Sequence, residues 1–300
     1  MASERLSGAL YVALSAAAFG AMAIFARFAR EGGADVTTVL FLRFAIAATL
    51  MSALMVATRR RWPARRNMLI LAAMGGVGYV AQSFSFFTAL DYASAGLVAL
   101  LLYLYPIIVT LLGAIFLGKR LTTARVAAVL LALAGTALTI GGSLSGQPLG
   151  IVLAVSAALI YSVYILVGSR VMAEEAPLAS ATVVMIAAAV VFGVLVGSRG
   201  PVWPEGALGW SAVVLIAVVS TVVAMVSFFV GMQRLGAADA ATLSTLEPVV
   251  TFILAAIFLG EPIEPNQVAG GAIILGAVIW LTRASAVPEA SPAPVGDTSR

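Results

Sequence analysis

The sequence predicts an all-α membrane protein with ten transmembrane helices, built as two inverted five-helix repeats with both termini in the cytoplasm. Three observations support this class. The chain is 62% hydrophobic and only 10% charged over 300 residues, which is outside the range of water-soluble domains. It repeats itself at an offset of 142 residues. Its basic residues gather in alternate short loops between apolar runs.

The internal repeat is clearest between residues 85–118 and 227–260, which align without a gap and are identical at 14 of 34 positions. Pro106 aligns with Pro248, and each lies within an otherwise apolar run. A duplicated membrane unit that is interrupted by proline is the usual construction of a secondary transporter.

The spans follow from the length of the apolar runs, because a bilayer core of about 30 Å needs about 20 apolar residues per helix. Such runs predict spans at 6–29, 36–58, 67–90, 94–117, 123–141, 148–170, 178–198, 209–235, 238–259 and 266–283. We therefore predict a first repeat over 6–141 and a second over 148–283. Residues 284–300, with three prolines and few apolar side chains, are predicted to form a disordered cytoplasmic tail.

The basic residues set the predicted orientation. With the N-terminus inside, thirteen of the seventeen Lys and Arg fall on the cytoplasmic side, while only Arg30 and Arg199 fall on the other. This bias places both termini in the cytoplasm. Five spans per repeat is an odd number, so the second repeat must be inverted relative to the first. Such an arrangement permits alternating access by an exchange of roles between the halves.

The two aligned prolines are predicted to kink the fourth and ninth spans. Pro106 and Pro248 lack an N–H, so we expect the carbonyls of Leu102 and Ser244 to lose their helical partner. In lipid such a carbonyl must meet another helix, a side chain or a wet cavity. The kinks therefore either line a cavity with backbone acceptors or shape the packing of the helices.

Two charged residues fall within predicted spans at positions that call for an explanation. Glu247 directly precedes Pro248 deep in the ninth span, where an ionised carboxylate costs roughly 2.5 kcal/mol or more. It serves proton coupling, binds a substrate ammonium, or is a neutral acid bonded to a neighbouring helix. Arg43 lies in the second span, where it snorkels outward, pairs with an acid or meets a substrate carboxylate.

Aromatic and polar side chains share helix faces on several spans, and lipid offers their polar groups no partner. Such faces either enclose a cavity for a small amphiphilic metabolite, such as an amino acid, or make hydrogen bonds between helices. Together with the proline region they form our predicted substrate cavity: Phe19, Tyr79, Gln82, Ser83, Phe86, Tyr103, Tyr161, Ser162, Tyr164, Ser244 and Glu247.

Several function classes are excluded by the same sequence. The chain has no His and no Cys, which removes the common metal ligands and most nucleophile–base pairs, so we expect no enzyme, metal site or cofactor. The glycine-rich stretch at 113–120 resembles a P-loop but has Arg120 in place of Ser or Thr, so ATP-driven pumping is not expected. The expected partners are a small-molecule substrate and the lipid bilayer, without nucleic acid or an ATPase subunit, for a monomer or weak homodimer.

The motifs in the second repeat resemble those of a known family. Residues 246–249 (Leu-Glu-Pro-Val), 258–261 (Phe-Leu-Gly-Glu) and 268–276, together with Arg43 and Phe44, are similar to EamA-type members of the drug/metabolite transporter superfamily. The similarity extends over residues 6–283. The chain departs from the family in having Lys119 where a Glu commonly follows the glycine, and Phe19 and Tyr161 where a Trp is frequent.

The resemblance implies a transporter of the bacterial inner membrane that exports small metabolites through a cavity between the two halves. Within the family, the chain resembles the amino-acid exporters that accept aromatic or bulky side chains. A lipid-linked or nucleotide-sugar carrier of similar architecture is the alternative, and it is expected to place several cations in the cavity to bind phosphate. In the sequence we identify only Arg43 as such a cation.

Overall fold

A computed structural model describes residues 2–89, 91–93, 95–118, 121–141, 146–171 and 173–284. The first five helices are α1 (Ala2–Gly20 and Met22–Glu31), α2 (Val36–Ala57), α3 (Arg65–Ala73, Met74–Tyr79 and Val80–Ala89), α4 (Ala95–Leu102 and Tyr105–Leu117) and α5 (Thr123–Ile140). The second five are α6 (Pro148–Val171), α7 (Pro177–Arg199), α8 (Gly206–Ala217, Val218–Val223 and Ala224–Leu235), α9 (Ala237–Leu243, Ser244–Leu246 and Glu247–Leu259) and α10 (Pro265–Ala284).

The helices have the length and composition of membrane spans. In the described part of the chain, α1 to α9 each contain a stretch long and apolar enough to cross a bilayer, and α10 contributes the shorter apolar stretch Pro265–Leu281. Large apolar side chains project from the bundle, including Val56 and Ile115, which are 73% and 71% exposed. A surface of this kind belongs in lipid, so the chain is an all-α, multi-pass membrane protein. The predicted tail lies outside the described residues, apart from Ala284 at the end of α10.

The two repeats interrupt their helices at equivalent places. The third helix of each repeat contains one π-helical turn, Met74–Tyr79 in α3 and Val218–Val223 in α8. Both proline-containing helices end in a left-handed glycine, Gly118 with φ 61° and Gly260 with φ 66°. Glycine adopts this conformation without a steric penalty, so the same residue ends the helix in both copies.

Helices α4 and α9 are interrupted at their prolines as expected, but the carbonyl of Ser244 keeps a hydrogen-bond partner. Each helix restarts with proline in its first turn, where the missing N–H costs nothing. In α9 the turn before the proline tightens to a 3₁₀ turn, so that the backbone N–H of Glu247 donates to the carbonyl of Ser244. The expectation that Ser244 loses its partner is therefore wrong, because the tighter turn supplies a donor three residues away.

The helices pack mainly across the repeats rather than within them. The principal pairs are α1 with α8, α5 with α10, α3 with α6, α2 with α7, α1 with α9, α4 with α6, α3 with α7 and α2 with α8. Exchanging each helix for its repeat equivalent returns the same set of pairs, which is the pattern of two copies related by a pseudo-two-fold axis. The backbones approach closely at the α5–α10 crossing, where a Cβ at Gly135 would lie 2.8 Å from the carbonyl oxygen of Gly270.

Candidate functional site

The two ends of the helix bundle differ. At one end, polar contacts join the first repeat to the second: Glu205 N donates to Gly32 O at 2.7 Å, Gln147 N to Tyr92 O at 2.8 Å, and Val202 N to Thr38 Oγ1 at 3.1 Å. Arg27 Nη1 also pairs with Glu261 Oε1 at 2.8 Å. We call this the closed end of the bundle, since these contacts join loops and helix ends from both repeats.

A cavity of about 950 Å³ lies at the opposite end. Its lining comes from α1, α3, α4 and α5 of the first repeat and from α6, α8, α9 and adjoining loops of the second. Apolar and polar groups share its inner surface: Val109, Leu166 and Met232 are among the lining residues, and exposed side chains such as Arg66 and Arg170 mark its mouth. The cavity therefore lies between the two repeats and opens at one end of the bundle.

Four arginines line this cavity, namely Arg5, Arg66, Arg125 and Arg170, and we call this end of the bundle the arginine-rich end. The cationic side chain proposed from the sequence, Arg43, is not among the lining residues. Sequence reasoning missed the four because each lies at a helix end, where a basic residue is explained equally well by topology. Only the packing of α1, α3, α5 and α6 brings them to one cavity.

Asp239 is a buried carboxylate on the cavity wall that forms ion pairs with two arginines. Its Oδ2 lies 2.9 Å from Arg5 Nη2 and its Oδ1 lies 2.8 Å from Arg125 Nε. The Asp239 side chain is only 3% exposed, whereas those of Arg5 and Arg125 are 33% and 23% exposed. A carboxylate at the start of α9 thus connects α1 and α5 of the other repeat, with one negative charge between two positive charges.

A second polar network at the cavity rim ties α3 to the loop before α7. Asn67 Nδ2 donates to Glu174 Oε2 at 3.2 Å and to Glu175 Oε1 at 2.9 Å, and the latter oxygen also accepts from Ala64 N. Glu175 O in turn accepts from Gln233 Nε2 at 3.0 Å. These bonds join α3 and α8 through the α6–α7 connection.

None of the eleven residues of the predicted substrate cavity lines the open cavity in this structure. Several lie nearby on the same helices: Tyr164 precedes the lining residue Leu166 by two positions, and Tyr103 lies at the break in α4, whose second segment contributes Val109. Tyr164 and Tyr103 therefore lie further from the open end than the cavity lining does, and the role of all eleven residues in substrate binding stays a prediction.

The structure joins most of these deeper aromatic residues into one continuous row of rings. Tyr79 contacts Tyr164, Tyr164 contacts Tyr161, Tyr161 contacts Tyr105, and Tyr105 contacts Tyr103, with centroids 5.9, 6.0, 4.9 and 6.3 Å apart. We call these five side chains the tyrosine row. Such spacings are those of favourable edge and offset ring contacts.

Tyr105 was missed by sequence reasoning, although a signal for it exists. It aligns with Glu247 at the 142-residue offset and directly precedes Pro106, as Glu247 precedes Pro248. Ser162 Oγ lies 3.4 Å from the carbonyl of Tyr105, and a Cβ at Gly20, the repeat equivalent of Ser162, would lie 2.9 Å from the carbonyl of Glu247. The break in each proline helix is thus packed against the equivalent point of the other repeat.

One end of the tyrosine row meets Arg43. This side chain is 4% exposed, donates through Nη2 to Tyr79 OH at 3.0 Å and through Nε to Thr221 Oγ1 at 2.7 Å, and lies 4.9 Å from the centre of the Phe44 ring. No carboxylate of a described residue lies within 4.0 Å of it. Neither the snorkelling nor the acid pairing considered from the sequence is what the structure shows, because two hydroxyl groups and an aromatic face hold the guanidinium inside the bundle.

The other end of the row meets Glu247. Its Oε2 accepts a hydrogen bond from Tyr103 OH at 3.3 Å, and among the described residues it forms no ion pair. Thr251 Oγ1 bonds both the carbonyl of Glu247 and that of Gly20, at 3.0 Å each. The acid therefore lies where the interruptions of α1 and α9 meet.

The remaining predicted residues have mainly local partners or intermediate burial. Ser83 Oγ lies 3.4 Å from Gln82 Oε1, and Ser244 Oγ bonds the carbonyl of Ala240 at 3.1 Å. Phe19 and Phe86 are of intermediate burial on α1 and α3. In the described part of the chain, Asp and Glu side chains nowhere form a group that could hold a metal ion.

Two packed repeats of membrane helices with a cavity between them define a class of membrane transport protein, and comparisons with known proteins identify the family. The EamA-like transporter family matches residues 6–141 and 148–283. The chain belongs to this family, within the drug/metabolite transporter superfamily, as its motifs indicated.

Several relatives are described as amino-acid exporters. The chain is 30% identical over 229 residues to the aromatic amino acid exporter YddG of Ancylobacter novellus, covering 74% of this chain and 76% of that one. It is 27% identical over 282 residues to the threonine/homoserine exporter RhtA of Escherichia coli K12, covering 86% and 90%. It is 26% identical over 232 residues to a probable terminal-alkyne amino-acid exporter of Streptantibioticus cattleyicolor, covering 74% and 76%.

A solved crystal structure shares the fold. It superimposes with a TM-score of 0.81 at 24% identity, covering 93% of this chain and 97% of the other. At this identity the comparison supports the fold alone.

Proposed function

We propose that the protein exports small amphiphilic metabolites, above all amino acids, by alternating access across the bacterial inner membrane. The observation that carries the proposal is the cavity of about 950 Å³, which lies between the repeats and opens at the arginine-rich end while polar contacts join the repeats at the closed end. A cavity that reaches one side only is what a carrier presents in one of its two states.

The proposed topology has ten spans, two inverted repeats and both termini in the cytoplasm. Arg5, near the start of α1, and Leu281, near the end of α10, border the same small pocket at the arginine-rich end, which supports a common side for the termini. Residue Gln147, just before α6, lies at the closed end instead, which supports inversion of the second repeat. The bias of thirteen basic residues to two favours the arginine-rich end as the cytoplasmic one.

Amino acids are favoured as substrates by the cavity and by the named relatives. The volume of about 950 Å³ is within the range of small-molecule sites, roughly 300–1,000 Å³. Apolar side chains such as Leu166 and Met232 suit an amino-acid side chain, and charged groups line the same space. Two relatives of the chain are described as exporters of aromatic amino acids and of threonine and homoserine, which supports the same substrate class.

We propose that the substrate reaches the tyrosine row and Glu247 at a later stage of transport. Both lie deeper than the cavity on helices that also line it, so a movement that extends the cavity inward along α4 and α6 brings the substrate to them. Tyrosine rings offer apolar surface with a polar tip, which suits an amphiphile.

The experiment is transport by the purified protein in liposomes, with a panel of radiolabelled amino acids and with or without a pH gradient. We expect concentration-dependent, saturable movement of at least one amino acid with a bulky or aromatic side chain. Empty liposomes and liposomes with an unrelated membrane protein serve as controls. Movement of no amino acid by protein that is shown to be folded and inserted would contradict the proposal.

The four cavity arginines favour one alternative, a carrier for lipid-linked or nucleotide sugars, because phosphate groups bind arginine clusters. Two of the four already share Asp239, and Arg170 donates to the carbonyl of Phe116 at 2.8 Å. The same liposomes therefore receive a nucleotide sugar and a fluorescent glycolipid. Transport of either without transport of amino acids would favour the alternative.

A further inference from the structure

We infer that Arg5 and Arg125 form a carboxylate-binding subsite on the cavity wall, and that Asp239 is an internal carboxylate with which the substrate competes. The inference deepens the proposed export of amino acids and rests on it for the identity of the ligand. Its structural basis, an anion-binding pair of arginines at one end of the bundle, is independent of that proposal.

The first argument is the balance of charge. Asp239 uses each carboxylate oxygen for a different arginine, so one negative charge faces two positive charges. All three groups lie on the wall of a cavity large enough for a metabolite, so a second carboxylate that enters this space meets the same guanidinium groups as Asp239.

The second argument is that the cavity exposes the two arginine side chains more than the aspartate. The aspartate is 3% exposed, but the side chains of Arg5 and Arg125 are 33% and 23% exposed, and all three residues line the cavity. The cavity therefore presents the arginines to a ligand while the acid lies behind them. Guanidinium groups bind carboxylates through charge-assisted hydrogen bonds, which makes an anionic carboxylate the fitting ligand.

The third argument comes from the repeat. At the 142-residue offset, Arg5, Arg125 and Asp239 correspond to Gln147, Gln267 and Leu97, none of which is charged. The closed end therefore has no equivalent triad, although the fold provides the same three positions there. The subsite distinguishes the two faces of the carrier, so a carboxylate substrate is bound more tightly when the cavity opens at the arginine-rich end.

Binding at this subsite also affects the packing of helices. The triad ties α9 of the second repeat to α1 and α5 of the first. A substrate carboxylate that takes over part of the hydrogen bonding of Arg5 or Arg125 weakens this tie. Because those helices belong to different repeats, capture of the substrate favours their relative movement.

The absence of cysteine from the chain makes a direct test simple. A single cysteine is introduced at Val167 in the cavity, and its reaction rates with an anionic and a cationic methanethiosulfonate reagent are compared. We expect Arg125→Gln and Arg5→Gln each to lower the ratio of the anionic to the cationic reaction rate about three- to ten-fold, because each removes one positive charge from a partly screened site. Asp239→Asn removes a negative charge and should raise the ratio by a similar factor. Arg125→Lys keeps the charge and should keep the ratio.

A reporter at the closed end is the matched control. A cysteine at Val202, which is 51% exposed, should show a ratio that none of these substitutions changes. Unchanged ratios at Val167→Cys in folded Arg5→Gln, Arg125→Gln and Asp239→Asn variants would overturn the inference.

The ligand class is tested by protection of the Val167→Cys reporter from neutral N-ethylmaleimide. A transported amino acid should protect it, whereas the primary amide of the same amino acid should not, and Arg125→Gln should abolish the difference. In transport, Asp239→Asn should lower both KM and kcat, because the arginines then hold the substrate longer, whereas a merely structural role predicts no fall in KM.

The outcomes separate the two proposals. If no amino acid protects or is transported but the rate ratios respond as expected, the proposed export of amino acids fails while the anion-binding pair stands. Equal protection by the acid and its amide, or protection by inorganic phosphate alone, would overturn the carboxylate assignment.

Discussion

Arg43 donates a hydrogen bond to Thr221 across the boundary of the two repeats, from Nε to Oγ1 at 2.7 Å. Its Nη2 donates to Tyr79 OH at 3.0 Å, and Tyr79 and Thr221 are separated by the repeat offset of 142 residues. Both acceptors lie in the π-helical turns of the third helix of their repeat. One guanidinium thus binds the same position of both copies, which places it near their pseudo-two-fold axis.

The first prediction concerns the cost of removing these acceptors. The double substitution Tyr79→Phe and Thr221→Val leaves a buried cation without its two hydroxyl partners, so it should lower the free energy of unfolding by about 3–5 kcal/mol. Arg43→Met should cost much less, because it removes the charge itself and places there the residue found at the repeat equivalent, Met185. Denaturant titration of the purified protein in detergent measures the difference.

The triple variant completes this comparison. Adding Arg43→Met to the double substitution should recover most of the lost stability, since no buried charge is then left unpaired. If the triple variant unfolds as easily as the double variant, the hydroxyl groups matter for packing and not as acceptors for Arg43.

The second prediction concerns the α5–α10 crossing. A Cβ at Gly270 would lie 2.5 Å from the carbonyl oxygen of Gly135 and 2.6 Å from Thr139 N, so Gly270→Ala should destabilise the protein by about 1–3 kcal/mol through overpacking. Gly276→Ala in the same helix is the control, because a methyl group at that position would meet no atom within 4 Å. Thermal unfolding should show a lowered midpoint for the first variant only, and equal midpoints would mean that the crossing relaxes freely.

The third prediction concerns proton coupling. The proton-coupling role considered for Glu247 predicts that Glu247→Gln abolishes the response of transport to a pH gradient while exchange of labelled for unlabelled substrate continues, because glutamine cannot bind or release a proton. Glu264→Gln, in the exposed loop before α10, is the matched control and should leave both unchanged. A full response to the gradient in the Glu247→Gln protein would remove this acid from the coupling step.

The fourth prediction concerns topology. In right-side-out vesicles an impermeant thiol reagent should label a cysteine at Val202 but not one at Ser3 or Arg60, and in inverted vesicles the pattern should reverse. The chain has no cysteine of its own, so each reporter is read without background. Labelling of Val202→Cys and Ser3→Cys from the same side would contradict the proposed orientation.

The sequence was a good guide to helices and a poorer guide to neighbours. Apolar length identified the membrane helices, and the offset identified the equivalent breaks before Pro106 and Pro248, because both signals are local. The cavity arginines were not predicted, because Arg5, Arg66, Arg125 and Arg170 lie far apart in the chain and only helix packing brings them together.

The candidate site shows the same difference between residues predicted from local patterns and contacts that depend on helix packing. Tyr79, Tyr161 and Tyr164 were identified from shared helix faces, and the ring of Tyr164 contacts those of the other two. Tyr105 was overlooked, because a tyrosine beside a proline gives no periodic signal of its own. Arg43 was expected to reach water, an acid or a substrate carboxylate, because a sequence cannot show that two hydroxyl groups from different repeats converge on it.

By itself the sequence determined that this is a helical membrane protein made of two related halves, and which family it belongs to, because hydrophobic length and internal repetition are written along the chain. The tertiary structure decided which end is open, which charges face the cavity and which residues connect the repeats. These properties depend on contacts between helices that are distant in sequence, and in a bilayer such contacts are set by close packing and by the need of each buried polar group for a partner.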